Sequence, residues 1–232
     1  MGGKKKIVVL TGSGISAESG IATFRDSGGL WEGYDIQDVA TPEAFERDPE
    51  NVLEFYNQRR RKAGEAMPNA AHKALAELEN QYDVVVITQN IDDLHERGGS
   101  QNVLHLHGEI KKARSSADPD LIYDIGTKDI NMGDKCEKGS QLRPHVVWFG
   151  EAVPMMEPAM KESSSADIFM VIGTSMAVYP AASLIDFVPE EAPKYLIDQK
   201  IPPVGNIKNL VTKETKATEG VPEIVNQLLG QQ

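Results

Sequence analysis

Cysteine is nearly absent from this chain of 232 residues: Cys136 stands alone. One thiol cannot build an internal disulfide framework, and this usage fits a reducing, cytoplasmic setting. Long apolar runs are missing as well. Ile7 to Leu10 and Ile168 to Ile172 fall far short of the roughly 20 residues that cross a bilayer, so no membrane partner is expected. An excess of basic charge is also lacking, since 24 Lys and Arg oppose 35 Asp and Glu for a formal net charge of -11. That balance disfavours nucleic acid as a partner. Low-complexity tracts and internal repeats do not occur.

What remains is the composition of a globular protein, 40% hydrophobic and 25% charged. The length suits one large domain with a smaller insertion, expected as a monomer. Lys4, Lys5 and Lys6 precede Ile7-Val8-Val9-Leu10, but Gly12 and Ser13 break the run at once. It reads as a buried first strand and not as a signal peptide. Further Val- and Ile-rich runs predict strands over 5–11, 83–88, 102–106, 167–172, 194–198 and 207–212. Nearly continuous apolar strands are covered on both faces, as in a parallel sheet. Helical patterns occupy 42–63, 69–81, 180–187 and 221–229, with Pro42, Pro49, Pro180 and Pro222 near their starts. The alternation predicts an α/β, doubly wound fold. Residues 29–66 read as helical without a strand, and 110–145 as irregular, with Asp118-Pro119, Gly126, Gly133 and Gly139 marking turns. Both stretches are expected to form a smaller module, with a ligand in the cleft between the two bodies.

Chemistry-bearing residues cluster at the predicted strand ends. After the first strand, Gly12, Gly14 and Ala17 match G-x-G-x-x-[GA]. Without Cβ atoms, backbone N–H groups there can close on a pyrophosphate; the bare alternative is a tight turn with no ligand. A dehydrogenase would need a second strand ending in an acid about 20 residues on, and Leu30-Trp31-Glu32-Gly33-Tyr34-Asp35 has no strand pattern. After the strand at 83–88 comes Thr88-Gln89-Asn90-Ile91-Asp92-Asp93, where either aspartate could simply cap a helix. His107, followed by Gly108, is a candidate general base; His95 and His105 read as structural. Gly173-Thr174-Ser175 offers N–H and hydroxyl donors to a phosphate or ribose, and Tyr195-Leu196-Ile197-Asp198 ends in a carboxylate suited to a ribose diol.

The ordered set Gly12–Ser16, Gly20–Arg25, Gln89–Asp92, His107-Gly108, Val147-Trp148-Phe149-Gly150-Glu151 and Gly173–Ser175 resembles the sirtuin family of NAD-dependent protein-lysine deacylases. The resemblance implies a Rossmann-like NAD-binding domain from 1–28, 67–108 and 146–232, and a small domain from 29–66 and 109–145. It implies that Gly12, Ser13, Gly14, Ile15, Ser16, Ala17, Gly20, Thr23, Phe24 and Arg25 hold pyrophosphate and cover the nicotinamide ribose. Gln89, Asn90, Ile91 and Asp92 would line the ribose and nicotinamide pocket, with Asn90 and Asp92 serving catalysis beside the base His107. Gly173, Thr174, Ser175, Asp198, Gln199, Lys200 and Ala217 would surround the phosphate and adenosine. Val147, Trp148, Phe149, Gly150 and Glu151, with Val178, would bind the acyl-lysine peptide, the first five as a strand pairing with its backbone. The implied products are nicotinamide, O-acyl-ADP-ribose and free lysine.

Two features set this chain apart within the resemblance. The family's small domain usually holds zinc on four cysteines, but Ser115 stands where the first is expected and only Cys136 remains. The small domain is therefore expected to fold without zinc, through contacts from Leu121, Ile122, Tyr123, Ile125 and Ile130. Second, Tyr56 and Arg59 share one helix face at i, i+3. A phenol and a guanidinium can grip a carboxylate, and Tyr-x-x-Arg resembles the pair in the class that removes succinyl, malonyl or glutaryl groups. A solvated basic face is the alternative, because Arg60, Arg61 and Lys62 follow. For the chain as a whole, the alternatives are mono-ADP-ribosyl transfer and a silent module that binds NAD or ADP-ribose.

Overall fold

The computed structural model describes residues 3–22, 30–31 and 34–230. The opening Val/Ile run forms β1 (Lys6–Thr11), buried from Ile7 onward. A short antiparallel pair follows, β2 (Leu30–Trp31) with β3 (Tyr34–Asp35), so the 29–66 stretch does contain strand. Helices α1 (Ile36–Val39), α2 (Pro42–Arg47), α3 (Pro49–Glu65) and α4 (Ala70–Glu77) lead into β4 (Asp83–Thr88). Then come α5 (Leu94–Gly98), β5 (Val103–His105), β6 (Gly108–Ser115), β7 (Ile122–Asp124) and β8 (Leu142–Val146). The chain ends with α6 (Met156–Ser164), β9 (Ile168–Ile172), β10 (Lys194–Asp198), β11 (Leu210–Glu214) and α7 (Ala217–Leu229).

Six strands form one parallel sheet in the order β11-β10-β9-β1-β4-β5. Ile7 and Val9 face one buried layer, with Leu75 of α4 and Ile224 of α7. Val8 and Leu10 face the other, with Ala159 of α6 and Leu184 of the 3-10 helix Ala181–Phe187. Both faces are covered, which is why these strands read as unbroken apolar runs. Strand order reverses about β1, which lies between β4 and β9. Such a switch point opens a crevice at the carboxyl ends of the strands, where this architecture binds ligands.

The single helix expected over 42–63 is two. Asp48, at φ -147 and ψ 75, leaves the helical region between α2 and α3 and caps Asn51 N at 3.2 Å, while Pro49 opens the second helix. Helix α7 starts at Ala217, earlier than its expected start at 221, and keeps Pro222 inside. The stretch 110–145, read as irregular, holds a three-stranded antiparallel sheet, β7-β6-β8. Its strands carry half-buried charged residues such as Lys112 and Arg114, which hide the period-two signal.

This module rests on few apolar groups among the described residues. Leu53, Ala113 and Ile130 are buried together, with Phe45, Ile125 and Leu142 against them. Of the residues expected to replace zinc, Ile122 is exposed, Leu121 lies outside this cluster, and Tyr123 bonds through its hydroxyl to Glu137. Polar ties carry much of the rest. Asn57 on α3 exchanges hydrogen bonds with the backbone of Ile130, both at 2.9 Å. The neighbouring Arg60 is fully buried, donating to Asn57 Oδ1 at 2.6 Å and to the Ile110 carbonyl at 2.7 Å. Ser115 Oγ accepts from Ala117 N and Asp118 N at 3.2 Å and lies 3.5 Å from Cys136 Sγ.

Candidate active site

Close approach of two loops shapes the floor of the crevice. Gly12 N donates to Ile172 O at 3.0 Å and Gly14 N to Gly173 O at 2.9 Å. A Cβ on Gly12 would stand 2.7 Å from Gly173 O, and one on Gly14 2.6 Å from Gly173 Cα. Gly173 itself has φ +62, and a Cβ there would lie 2.4 Å from Ile15 N. The glycines thus let β1 and β9 loops interlock. Two 3-10 turns, Ser13–Ile15 and Ala17–Ser19, follow in place of a long helix.

Under this floor lies a buried polar layer. Asn90 Nδ2 donates to Gly12 O and to Ser16 Oγ, each at 3.2 Å. Ser16 Oγ donates to Asp92 Oδ2 at 3.2 Å and sits 3.4 Å from His72 Nε2. His95 Nε2 lies 3.0 Å from Thr11 Oγ1, and its ring meets that of His72 edge-on at 4.9 Å. Burial drives the pKa of His72 down to about 4 and that of His95 well below the ordinary imidazole value. Burial also raises Asp92 to about 6, against hydrogen bonds from Leu94 N and Ser16 that favour the charged form. His72 also completes a capping box with Asn69 at the start of α4.

His107 sits between β5 and β6 with Nδ1 3.0 Å from Gln89 O. A carbonyl only accepts, so Nδ1 carries the proton of the neutral ring and Nε2 is left as the acceptor. Burial lowers the His107 pKa, which keeps the ring neutral near pH 7. Gln89 Nε2 in turn donates to Thr174 Oγ1 at 3.1 Å. His105 makes the neighbouring contact with Asn90 O at 3.1 Å, but its Nε2 pairs with Glu96 at 2.7 Å.

The wall opposite comes from α3 and the turn after β8. Tyr56 is fully buried, which pushes its phenol pKa up. Arg59 is 7% exposed, with its guanidinium 3.2 Å from the Phe55 ring centroid and Nη1 donating to Phe55 O at 3.0 Å. Residues 147–151, expected as a strand, form a turn. Val147 N bonds to His107 O at 2.9 Å, Phe149 N to Ala40 O at 3.0 Å and Glu151 N to Trp148 O at 3.0 Å. These N–H groups are therefore taken within the chain. The Glu151 carboxylate turns inward, accepting from Arg143 at 2.7 Å, Arg114 at 3.0 Å and Trp148 N at 2.7 Å. Burial opposes its charge, but these bonds win and lower its pKa.

One cavity of about 870 Å³ joins these parts. Its wall includes Gly12, Ser13, Gly14, Ala17, Gln89, Asn90, Ile91, Asp92 and His107. It also includes Gly173, Thr174, Ser175, Val178, Asp198, Gln199, Lys200 and Ala217, together with Tyr56, Arg59 and 147–151. Ile15 lies in the core, Ser16 in the layer below, and Gly20 outside the wall. Thr23, Phe24 and Arg25 lie outside the described residues. Ala40, Lys62, Ile110, Val153 and Tyr179 also line the cavity. Among the described residues no cluster of three His, Cys, Asp or Glu is arranged to hold a metal ion, and no helix is long and apolar enough to cross a membrane.

A model of the Sir2 family matches residues 12–180. A protein named NAD-dependent protein deacylase from Bacteroides thetaiotaomicron is 50% identical over 230 residues, covering 97% of this chain and 98% of the relative. A Sir2 homologue solved with ADP-ribose superimposes with a TM-score of 0.89 at 42% identity, covering 99% of this chain and 95% of that one. A Sir2 homologue solved with NAD gives 0.88 at 42% identity, covering 98% and 90%.

Proposed function

The chain belongs to the Sir2 family, and from that premise we propose that it is an NAD-dependent protein-lysine deacylase whose pocket takes acyl chains ending in a carboxylate as well as acetyl. The observation that carries the carboxylate reading is the placement of Tyr56 and Arg59, one turn apart on α3, in the wall of the cavity that also holds His107.

The residues present fit NAD. The interlocked glycine loops leave backbone and hydroxyl donors at Thr174 and Ser175 for the phosphates. Gln89 and Asn90 offer amides to the nicotinamide end, and Asp198 a carboxylate to the adenosine ribose. When bound, NAD supplies a sugar carbon that nicotinamide can leave. The protein's own part is to position and to move protons. Asn90, held by Gly12 O and Ser16, keeps its side chain fixed at the floor. His107 Nε2 takes a proton from a ribose hydroxyl while Nδ1–H stays on Gln89 O. Arg59 and Tyr56 hold the far end of the acyl chain, and the apolar wall of Ile91, Ile110 and Val146 excludes water from the lysine chain. A monomer working in a reducing compartment is part of this reading.

The test is a mass-spectrometric assay with acetyl-, succinyl-, malonyl- and glutaryl-lysine peptides, each with and without NAD. Nicotinamide release that requires an acylated peptide supports the deacylase. Release without one points to ADP-ribosyl transfer, and none at all to a binding module. Arg59→Met should weaken recognition of the carboxylate-bearing groups by about 2–5 kcal/mol. Equal losses on acetyl and succinyl substrates would refute the clamp.

A further inference from the structure

We propose that Glu18 is a positioning residue for the adenosine half of NAD, stapling the loop after β1 to the first turn of α7 at one end of the cavity. The proposal rests on the NAD reading above and gives a task to the residue that directly follows Ala17, the last position of the glycine motif.

Ala17 and Ala217 both line the cavity. Each is followed by one member of a direct contact between these two distant parts of the chain. Thr218 Oγ1 donates to Glu18 Oε2 at 2.6 Å, and Thr218 N donates to the same oxygen at 3.3 Å. Lys216 Nζ stands 3.6 Å from Glu18 Oε1. The N-cap residue of α7 is Lys216, whose ammonium only donates and cannot serve the first-turn N–H groups. Glu18 supplies that acceptor from the other end of the chain, and its charge suits the positive end of the helix dipole. Burial opposes the charge, but the bonds from Thr218 and the nearby Lys216 outweigh it and lower the Glu18 pKa. The rest of α7 is seated without Glu18. Val221, Ile224 and Val225 are buried in one layer with Ile7 and Val9 of β1, and a Cβ on Gly220 would lie 2.7 Å from Ile197 Cγ2. Losing Glu18 therefore frees only the first turn, and with it Ala217 on the cavity wall. The segment leading into that turn also touches the residue offered to the adenosine ribose, since Thr215 N donates to Asp198 O at 3.0 Å. A cofactor whose adenosine leans on a loosened wall must order the turn as it binds. That weakens binding and leaves the reacting end, at His107 and Asn90, unchanged.

Glu18→Ala should raise KM for NAD about fivefold, the size of one helix cap that the cofactor must now re-form. It should leave kcat at saturating NAD and KM for the acylated peptide at their wild-type values. Calorimetry with ADP-ribose should show the same loss of affinity. Glu18→Gln keeps an amide oxygen for Thr218 and should recover part of it. Thr218→Val should weaken NAD binding in a milder form, and adding it to E18A should bring no further loss, because the two act through one contact. A cap with a purely structural role would lower the Tm of E18A with KM for NAD unmoved, and that result overturns the proposal. So does a parallel loss of kcat or peptide affinity, a Gln variant as weak as E18A, or a further loss on adding T218V. If E18A does not fold, T218V decides by the same split between KM and kcat. A wild type that binds no ADP-ribose would sink the NAD reading itself; wild-type binding that a folded E18A leaves intact removes only the role of Glu18.

Discussion

The Nδ1 of His107 lies 3.0 Å from the backbone oxygen of Gln89, whose own amide reaches Thr174 Oγ1 at 3.1 Å. The first contact sets the tautomer of the imidazole. The second ties that same residue to the loop after β9. His107 and the loops after β4 and β9 are thus held in one chain of contacts across the mouths of three strands.

Because burial lowers the His107 pKa, its neutral form should persist below the ordinary imidazole value. The acid limb of the kcat/KM profile should bend under pH ~6.5. His107→Gln should cut turnover by about 10²–10⁴ while NAD binding, followed by calorimetry, survives. A variant with near-normal turnover would remove His107 from the mechanism.

His72 links pH to stability. Its folded pKa of about 4 lies below the unfolded value of roughly 6.5, so the unfolded chain binds more protons between them. The stability that comes from a neutral His72 is fully present above the unfolded value and is lost as pH falls through about 4. Urea titrations should show a decline on the order of 3 kcal/mol across that window. His72→Asn should flatten the decline; an equal slope in the variant would assign it elsewhere.

Asp92 acts with the opposite sign. Its folded pKa is raised to about 6, so its favourable contribution is full below the unfolded value and is lost as pH rises through 6. Asp92→Asn should therefore melt above wild type at pH ~7.5, with the difference vanishing near pH ~4. Turnover should fall, since the carboxylate would no longer be available beside Asn90. A lower Tm than wild type at the higher pH would show that Ser16 and Leu94 bonds outweigh the burial.

Gly173→Ala would combine a left-handed φ of +62 with a Cβ 2.4 Å from Ile15 N, a backbone atom that cannot yield cheaply. A loss of about 2–4 kcal/mol is expected, together with weakened NAD binding. Full affinity in the variant would mean that the loops need not interlock.

In the small module, Asn57→Ala would leave the Ile130 N–H without its acceptor and the buried Arg60 with the Ile110 carbonyl but without Asn57 Oδ1. It should cost about 1–3 kcal/mol. Chelator should leave the Tm of the wild type unmoved; a drop on chelation would show that a metal supports this module after all.

Much of the large body was legible along the chain. Continuous Val/Ile strands announced a parallel sheet, and the polar clusters directly after them marked the strand ends where such sheets bind ligands. The small module was not legible. Its sheet is half-buried and carries charge on its strands, so neither period stood out. Arg60 and Arg61 make the point most plainly. They are adjacent and alike in sequence, yet one is fully buried on Asn57 and Ile110 while the other reaches out to Glu54 and Asp129.

By itself the sequence determined the fold class, the family and the order of motifs at the strand ends, because these depend on local period and on residue type. Only the tertiary structure decided that Gly12 and Gly14 lock against Gly173, that Ser16 joins His72 to Asp92, and that Glu151 turns inward to fix Trp148. Those contacts join residues far apart along the chain, except the last. Sheet register and helix packing set the distances between them, and no local pattern carries that information. Glu151 and Trp148 are close in sequence, but the partners that hold the Glu151 carboxylate inward, Arg114 and Arg143, come from β6 and β8.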